Sequence, residues 1–169
     1  MMIVAIINLI ISCILQGTIS NFLGYTYSSL SLFSTIYPLI ALLILNPYFE
    51  NKRKYLLILI IFGLITDVAY TNTLLLNTTL FIIVYYFSKS FHFFFPYNLF
   101  TINISNVLSI MIYHIITFIL LVILRYDYYN LSVLSKILSH SILMTIIYTS
   151  ITYILVKFTY ERLELKEVK

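Results

Sequence analysis

The amino-acid sequence predicts an all-α membrane protein, a bundle of six transmembrane helices that forms a single domain over residues 1–169. Hydrophobic residues make up 62% of the chain and charged residues only 9%, and the mean hydropathy is +1.02. A soluble domain carries about 25% charged residues. A soluble fold of this length has too little interior to bury so many apolar side chains. The chain is therefore expected to have lipid as its solvent.

Six apolar runs approach the ~20 residues that an α-helix needs to cross the hydrocarbon core. Each run is continuously apolar, whereas the strands of a membrane β-barrel alternate apolar and polar residues. Because lipid offers the backbone no hydrogen bonds, helices that satisfy their own peptide groups are expected. The runs lie at about 2–23, 30–49, 55–71, 74–91, 98–124 and 136–157.

The first run is expected to be a retained helix rather than a signal peptide. No Lys or Arg precedes residue 52, and the chain contains no Ala-x-Ala cleavage site. The single cysteine, Cys13, lies inside this run, so neither an intrachain disulfide nor a cysteine metal site is expected. In the second run Pro38 is expected to kink the helix, because proline removes a backbone donor and clashes with the preceding turn.

The remaining runs predict a tight hairpin and an orientation. Only Thr71, Asn72 and Thr73 separate the third and fourth runs, so these helices are expected to pair directly. Cytoplasmic loops are enriched in Lys and Arg, and eight of the ten basic residues fall on the side that carries both termini. The sequence therefore predicts a multi-pass protein with a cytoplasmic N-terminus and a cytoplasmic C-terminus. The charged tail, 157–169, is expected to continue the sixth helix into solvent.

Asp67 is the one acidic residue inside a predicted span. An ionised carboxylate near the middle of a membrane helix costs about 3 kcal/mol on insertion scales, so it must be hydrated, protonated, paired or capped. Three interpretations are open: a proton or substrate site of a transporter, a contact with a partner protein, or a structural anchor. The anchor is favoured, because hydroxyl and amide donors surround the hairpin turn at Thr71, Asn72, Thr73, Asn77, Thr78 and Thr79.

Polar side chains recur at helical spacing along three predicted helices, so on each helix they share one face. Such stripes mediate helix–helix packing in lipid, which is the favoured interpretation, and a polar lumen for a solute is the alternative. The stripes consist of Asn8, Ser12, Gln16 and Ser20 in the first helix, of Asn106, Ser109, Tyr113 and Thr117 in the fifth, and of Ser141, Thr145, Tyr148 and Thr152 in the sixth.

Residues with catalytic chemistry are sparse. The chain has three glycines and lacks a phosphate-binding loop, a nucleophile elbow and a His-Glu-x-x-His motif. His92, His114 and His140 are expected to be structural, because no Cys, Asp or Glu joins them as a metal ligand. We expect no enzymatic activity, cofactor or metal site, and no second in-span acid supports intramembrane proteolysis. Nucleic-acid binding is not expected either, because the cytoplasmic loops account for the net charge of +4.

The predicted hairpin resembles the MreD family of bacterial rod shape-determining membrane proteins. That family ends one helix with Gly-Leu-x-x-Asp and opens the next with a Leu-Gly-Leu-Asn-like segment. Here "GLITD" at 63–67 and "LLLN" at 74–77 occupy these places. The resemblance implies that Gly63, Asp67 and Asn77 form a structural or partner-binding motif. Leu75 stands where the family usually has a glycine, which is expected to allow close packing at the turn.

The resemblance implies a six-helix bundle similar in fold to the S components of energy-coupling-factor transporters. It also implies a non-enzymatic scaffold of the cell-elongation complex (the elongasome), which builds peptidoglycan and sets rod shape, in the cytoplasmic membrane of a bacterial cell. The expected partners are an MreC-like single-span protein, RodA with a class B penicillin-binding protein, MreB on the cytoplasmic side, and membrane lipids. Formation of a homodimer is left open.

A solute-binding subunit of an energy-coupling-factor-type vitamin transporter is the rival interpretation. Such subunits commonly dock on their transmembrane partner through an Ala-x-x-x-Ala face in the first helix, and this chain has only Ala5, Ala41 and Ala69. It has no Trp, and one in-span acid is a poor basis for a polar vitamin pocket. Asn, Gln and Tyr side chains are nevertheless able to line one.

Overall fold

The computed structural model describes residues 2–24, 35–49, 51–71, 75–123 and 131–167, and the statements below concern these residues. The described residues are 93% helical and include no strands, so the predicted all-α class is confirmed. A 3₁₀ turn (Asn46–Tyr48) follows the second helix, and a π-helical turn (Asp67–Thr71) extends the third. The α-helices are α1 (Met2–Gly24), α2 (Tyr37–Leu45), α3 (Lys52–Thr66), α4 (Leu76–Phe94), α5 (Leu99–Ile123) and α6 (Leu131–Glu167).

Two described helices are long and apolar enough to cross a membrane. They are α5 and the segment Leu134–Arg162 of α6. Helix α1 contributes a shorter apolar stretch, Val4–Thr18, and α2 with its 3₁₀ turn another, Tyr37–Tyr48. The number of six spans therefore stays a prediction.

The second apolar run departs most from its prediction. The expected kink at Pro38 is wrong, because Pro38 is the second residue of α2 and the preceding Thr35 and Ile36 are not helical. The N–H groups of a first helical turn have no partner within the helix, so proline removes no helical hydrogen bond there. Positions 30–34 of this run lie outside the described residues.

Helix α2 is the centre of the core. All nine of its residues are buried, in keeping with a sequence that is apolar on every face. Helices α1 and α6 pack against it, and the pairs α3–α4, α4–α5 and α5–α6 complete the bundle. Tyr55 of α3 donates its hydroxyl to the Leu42 carbonyl at 2.9 Å, and Tyr97 donates to the Ile44 carbonyl at 2.6 Å. These two bonds fix the C-terminal end of α2 to the first turn of α3 and to the segment just before α5.

The polar stripes supply hydrogen bonds between helices. Gln16 of α1 accepts from the backbone N–H of Tyr37 at 3.0 Å, which caps the first turn of α2. On the other side of the bundle, Asn106 of α5 donates to the Thr149 hydroxyl of α6 at 3.2 Å. The hydroxyl of Thr35 donates to a backbone carbonyl of α6 at 3.1 Å. These contacts join helices by side-chain hydrogen bonds, as expected for packing stripes in an apolar solvent.

Candidate functional site

Asp67 lies in the π-helical turn after α3 and faces the start of α4. Its side chain is almost fully buried, with 1% of its surface exposed. Oδ1 accepts hydrogen bonds from the backbone N–H of Asn77 at 2.8 Å and from the Asn77 side-chain amide at 3.0 Å. Oδ2 accepts from the backbone N–H of Thr78 at 3.1 Å and from the Thr78 hydroxyl at 2.8 Å. The carboxylate therefore has at least four donors.

This arrangement is a helix cap supplied from another helix. The first-turn N–H groups of an α-helix lack intrahelical acceptors and usually bond to a Ser, Thr, Asp or Asn at the N-cap. In α4 the N-cap residue is Leu75, whose side chain can accept no bond. Asp67 provides an acceptor to the backbone N–H groups of the second and third residues of α4, Asn77 and Thr78. Its negative charge also interacts favourably with the positive end of the α4 dipole.

The cap explains how a carboxylate is accommodated inside an apolar bundle. Three of its four donors are N–H groups, which can only donate, so both carboxylate oxygens act as acceptors. None of the four belongs to a cationic side chain. Charge-assisted hydrogen bonds from backbone and side-chain donors are about twice as strong as neutral ones. The N-terminal end of α4 thus supplies the positive partial charge that favours a carboxylate at this position.

Asn77 connects this cap to a third helix. Its side-chain amide donates to Asp67, while its side-chain oxygen accepts from the hydroxyl of Tyr113 in α5. The Tyr113 ring is buried and makes an edge-on contact with Phe81 of α4. Asp67, Asn77, Thr78 and Tyr113 form one hydrogen-bonded set, which we call the Asp67 cluster. It holds α3, α4 and α5 in one arrangement.

Gly63 lets the two helices of the hairpin approach closely enough for the cap to form. A Cβ atom at this position would lie 2.8 Å from the Cα atom of Thr78 and 3.0 Å from its hydroxyl oxygen. Contact with a backbone atom at that distance is not tolerated without movement of a helix. Gly63 is one turn before Asp67, so it faces the same stretch of α4.

Leu75 has a left-handed backbone, with φ of 61° and ψ of 5°. It is the one non-glycine residue with positive φ in the described part of the chain. This conformation places Cβ close to a carbonyl oxygen and costs about 1–2 kcal/mol for a residue other than glycine. In this chain 55% of the Leu75 surface is exposed, so the side chain makes no close packing contact here. A glycine at this position would suit the left-handed backbone.

The structure brings Gly63, Asp67 and Asn77 together, and it adds two residues to them. Thr78 is one of the donors named from the sequence, while Tyr113 was expected only as part of a packing stripe. Thr79 donates to the carbonyl of its own turn, at Leu75, and is not part of the cluster. Asn72 and Thr73, also considered as donors, lie outside the described residues.

Metal ligands do not converge elsewhere in the described residues. No three His, Cys, Asp or Glu side chains among them lie close enough to hold a metal ion. His92 and His114 belong to α4 and α5, and the side chain of His140 lies outside the described set. The absence of a metal centre stays a prediction.

We predict that Asp67→Asn lowers the free energy of unfolding by about 2–3 kcal/mol. The asparagine NH2 group can only donate, so it would face backbone N–H groups from which a carboxylate oxygen accepts in the wild type. The apparent Tm should fall by about 5–10 °C. It can be measured in detergent through the reaction of the half-buried Cys13 with a thiol-reactive fluorophore. Glu161→Gln, at an exposed residue of α6, is the matched control and should change the Tm little. An unchanged Tm for Asp67→Asn would contradict the cap.

We predict that Gly63→Ala destabilises the bundle by about 1–3 kcal/mol, because the added methyl group overpacks the α3–α4 contact. Gly17→Ala is the control: the nearest atoms to its Cβ would be the hydroxyl oxygen and Cε1 of Tyr70, at 3.2 Å and 3.3 Å, which belong to the end of a side chain rather than to backbone. Alanine is also favoured over glycine in a helix by about 1 kcal/mol. The control should therefore match or exceed wild-type stability in the same thermal assay. Equal effects of the two substitutions would disprove the close approach at Gly63.

We predict that Leu75→Gly stabilises the protein by about 0.5–1 kcal/mol. Relief of the left-handed strain outweighs the conformational entropy that glycine loses on folding. Leu57→Gly, at a residue of α3 that is similarly exposed, should instead lower stability by about 1 kcal/mol. Opposite signs in the two thermal shifts are the expected result, and a loss of stability in both variants would count against a left-handed Leu75.

The comparisons with known proteins leave the family open. No protein-family model, curated protein or solved structure matches the chain. The likeness to the MreD family therefore rests on the hairpin motif at residues 63–77, and membership of that family stays a prediction.

Proposed function

We propose that this chain is a six-span protein of the bacterial cytoplasmic membrane that acts as a non-enzymatic scaffold of the cell-elongation complex. The observation that carries the proposal is the state of Asp67. A transport or catalytic role for the one in-span acid requires a carboxylate that can meet a proton or a solute. Here both oxygens are engaged in capping α4, and the side chain is buried between helices. The motif therefore serves a structural role, which is to hold α3, α4 and α5 together.

The outer surface of the bundle supports a membrane location. In α5 and in Leu134–Arg162 of α6, only 22% of the most apolar window is buried within the protein. A core helix of a soluble protein would be mostly buried, so these apolar faces need lipid or partner helices to cover them. Helix α1 presents a further face of half-exposed isoleucines at Ile7, Ile10, Ile11 and Ile14.

The contacts at one end of the bundle support the proposed orientation. Lys52 at the start of α3 donates to the Asn46 carbonyl after α2, and Tyr97 before α5 donates to Ile44. The end of α2, the start of α3 and the link between α4 and α5 are therefore neighbours. The basic residues of 52–54 and Lys89 lie at this end, which we assign to the cytoplasm.

In this role the Asp67 cluster keeps α3, α4 and α5 rigid, and the exposed apolar faces associate with partner helices in the bilayer. By resemblance to the MreD family, the partner is an MreC-like single-span protein, in a complex with RodA, a class B penicillin-binding protein and MreB. Close packing of helix surfaces supplies the affinity, because lipid gives no hydrophobic driving force between helices.

The predicted orientation can be measured by labelling single cysteines that are introduced into a Cys13→Ser background. A cysteine at Arg53, an exposed residue at the start of α3, should be protected from a membrane-impermeant maleimide in intact cells. A cysteine at Leu131, 71% exposed at the start of α6, should be labelled. The two positions exchange roles if the bundle is inverted, and equal protection of both would contradict the six-span topology.

The partner is tested by co-expression with an MreC-like protein and purification through a tag on this chain. We expect the MreC-like protein to co-purify, and an unrelated single-span protein of similar length to be lost. A purified chain that carries a tightly bound vitamin, and that fails to retain the MreC-like protein, would establish the rival transporter role.

A further inference from the structure

A cavity of about 540 Å³ opens at the proposed cytoplasmic end of the bundle, between the end of α2 and the end of α4. We propose that it binds the headgroup of an anionic phospholipid, with the phosphate at Lys89 and headgroup hydroxyls at Asn46 and His92. The chemistry is that of a phosphate ester with neighbouring hydroxyl groups, as in a glycerophosphate headgroup. The lipid source rests on the membrane orientation given under the proposed function.

Two buried polar atoms on residues that line the cavity have no hydrogen-bond partner within the described part of the chain. They are the side-chain oxygen of Asn46 and Nδ1 of His92. Buried polar atoms are nearly always paired in folded proteins, and two such atoms on residues of one cavity wall are the observation on which we base a bound group there. The Asn46 oxygen requires a donor, which a headgroup hydroxyl supplies and a bare phosphate dianion does not.

His92 suits a hydroxyl rather than a second phosphate oxygen. Burial lowers the pKa of its imidazole, and this effect exceeds the opposing one of the Phe95 backbone. The ring is therefore neutral near pH 7 and offers one donor and one acceptor. A hydroxyl group can serve either nitrogen, since it donates and accepts.

Lys89 gives the cavity its charge. The side chain lies at the cavity wall with its ammonium 6.0 Å from the ring centre of Tyr86. Within the described residues the ammonium makes no ion pair, and no acidic residue lines the cavity. An ammonium group without a carboxylate partner attracts an anion such as phosphate.

Two exposed phenylalanines make a lipid a better fit than a free phosphate ester. Phe93 and Phe94 also line the cavity, and 83% and 77% of their surfaces are exposed. Acyl chains below a bound headgroup would cover these rings, whereas a soluble ligand would leave them in water. Basic pockets at the cytoplasmic ends of membrane helices bind anionic headgroups elsewhere by the same combination of charge and apolar contact.

The test is native mass spectrometry of the full chain in mild detergent, titrated with phosphatidylglycerol or with phosphatidylcholine of the same acyl chains. We expect one phosphatidylglycerol to bind about tenfold more tightly than phosphatidylcholine. Lys89→Gln and Asn46→Leu should each remove most of that preference. Lys157→Gln, at an exposed lysine that already pairs with Glu161, is the matched control and should keep it.

A folding defect is separable from a binding defect. Asn46→Leu removes an unpaired polar atom, so the thermal stability of the lipid-free variant should stay at or above that of wild type while lipid preference falls. Equal affinity for the two lipids, or full preference in Lys89→Gln, would overturn the proposal. Equally tight binding of free glycerol 3-phosphate would overturn the lipid source.

The outcome is independent of the scaffold role. Lipid preference is measured on the purified chain without any partner, whereas the scaffold role depends on retention of the MreC-like protein. Loss of the partner with lipid preference intact would disprove the scaffold alone. Loss of lipid preference with the partner retained would disprove the headgroup site alone.

Discussion

The hydrogen bonds between the Asp67 carboxylate and the first turn of α4 are the interaction on which the hairpin depends. A helix that begins inside an apolar bundle cannot give its first N–H groups to water, and each unpaired donor is costly. Leu75 at the N-cap has no acceptor to offer, so the acceptor comes from α3. The close contact at Gly63 and the bond from Tyr113 to Asn77 both follow from holding this carboxylate in place.

The same constraint is met differently where a helix begins nearer the surface. Helix α3 is capped by its own N-cap residue, Asn51, which accepts from the N–H groups of Arg53 and Lys54. Asn98 and Thr101 serve each other in the same way at the start of α5. Helices α2 and α4 begin against the core and are capped by side chains of other helices. Burial of a helix end thus decides whether its cap is local or remote.

The sequence was sufficient for features that depend on nearby residues. Asp67 and its partner Asn77 are ten residues apart, so the run of donors around the turn pointed to the cap. Tyr113 could not be found in this way, because its contact crosses 36 residues and depends on how α5 packs. The helix start at Pro38 and the left-handed Leu75 also escaped prediction. Proline suits a first helical turn, but the continuous apolar run concealed the helix start. A left-handed leucine runs against local preference. The cavity joins the ends of α2 and α4, which no spacing in the chain reveals.

The closeness of Asp67 to its partners along the chain has a consequence for biosynthesis. The entropy lost on closing a loop grows with its length, so the contacts of Asp67 with Asn77 and Thr78 are among the cheapest tertiary bonds to form. All of their atoms lie before residue 79, so the cap can close while α5 is still being synthesised. Helix α5 then meets a finished hairpin, and Tyr113 binds an Asn77 oxygen that is already oriented by Asp67. For α3, α4 and α5 the order of synthesis therefore matches the order of assembly.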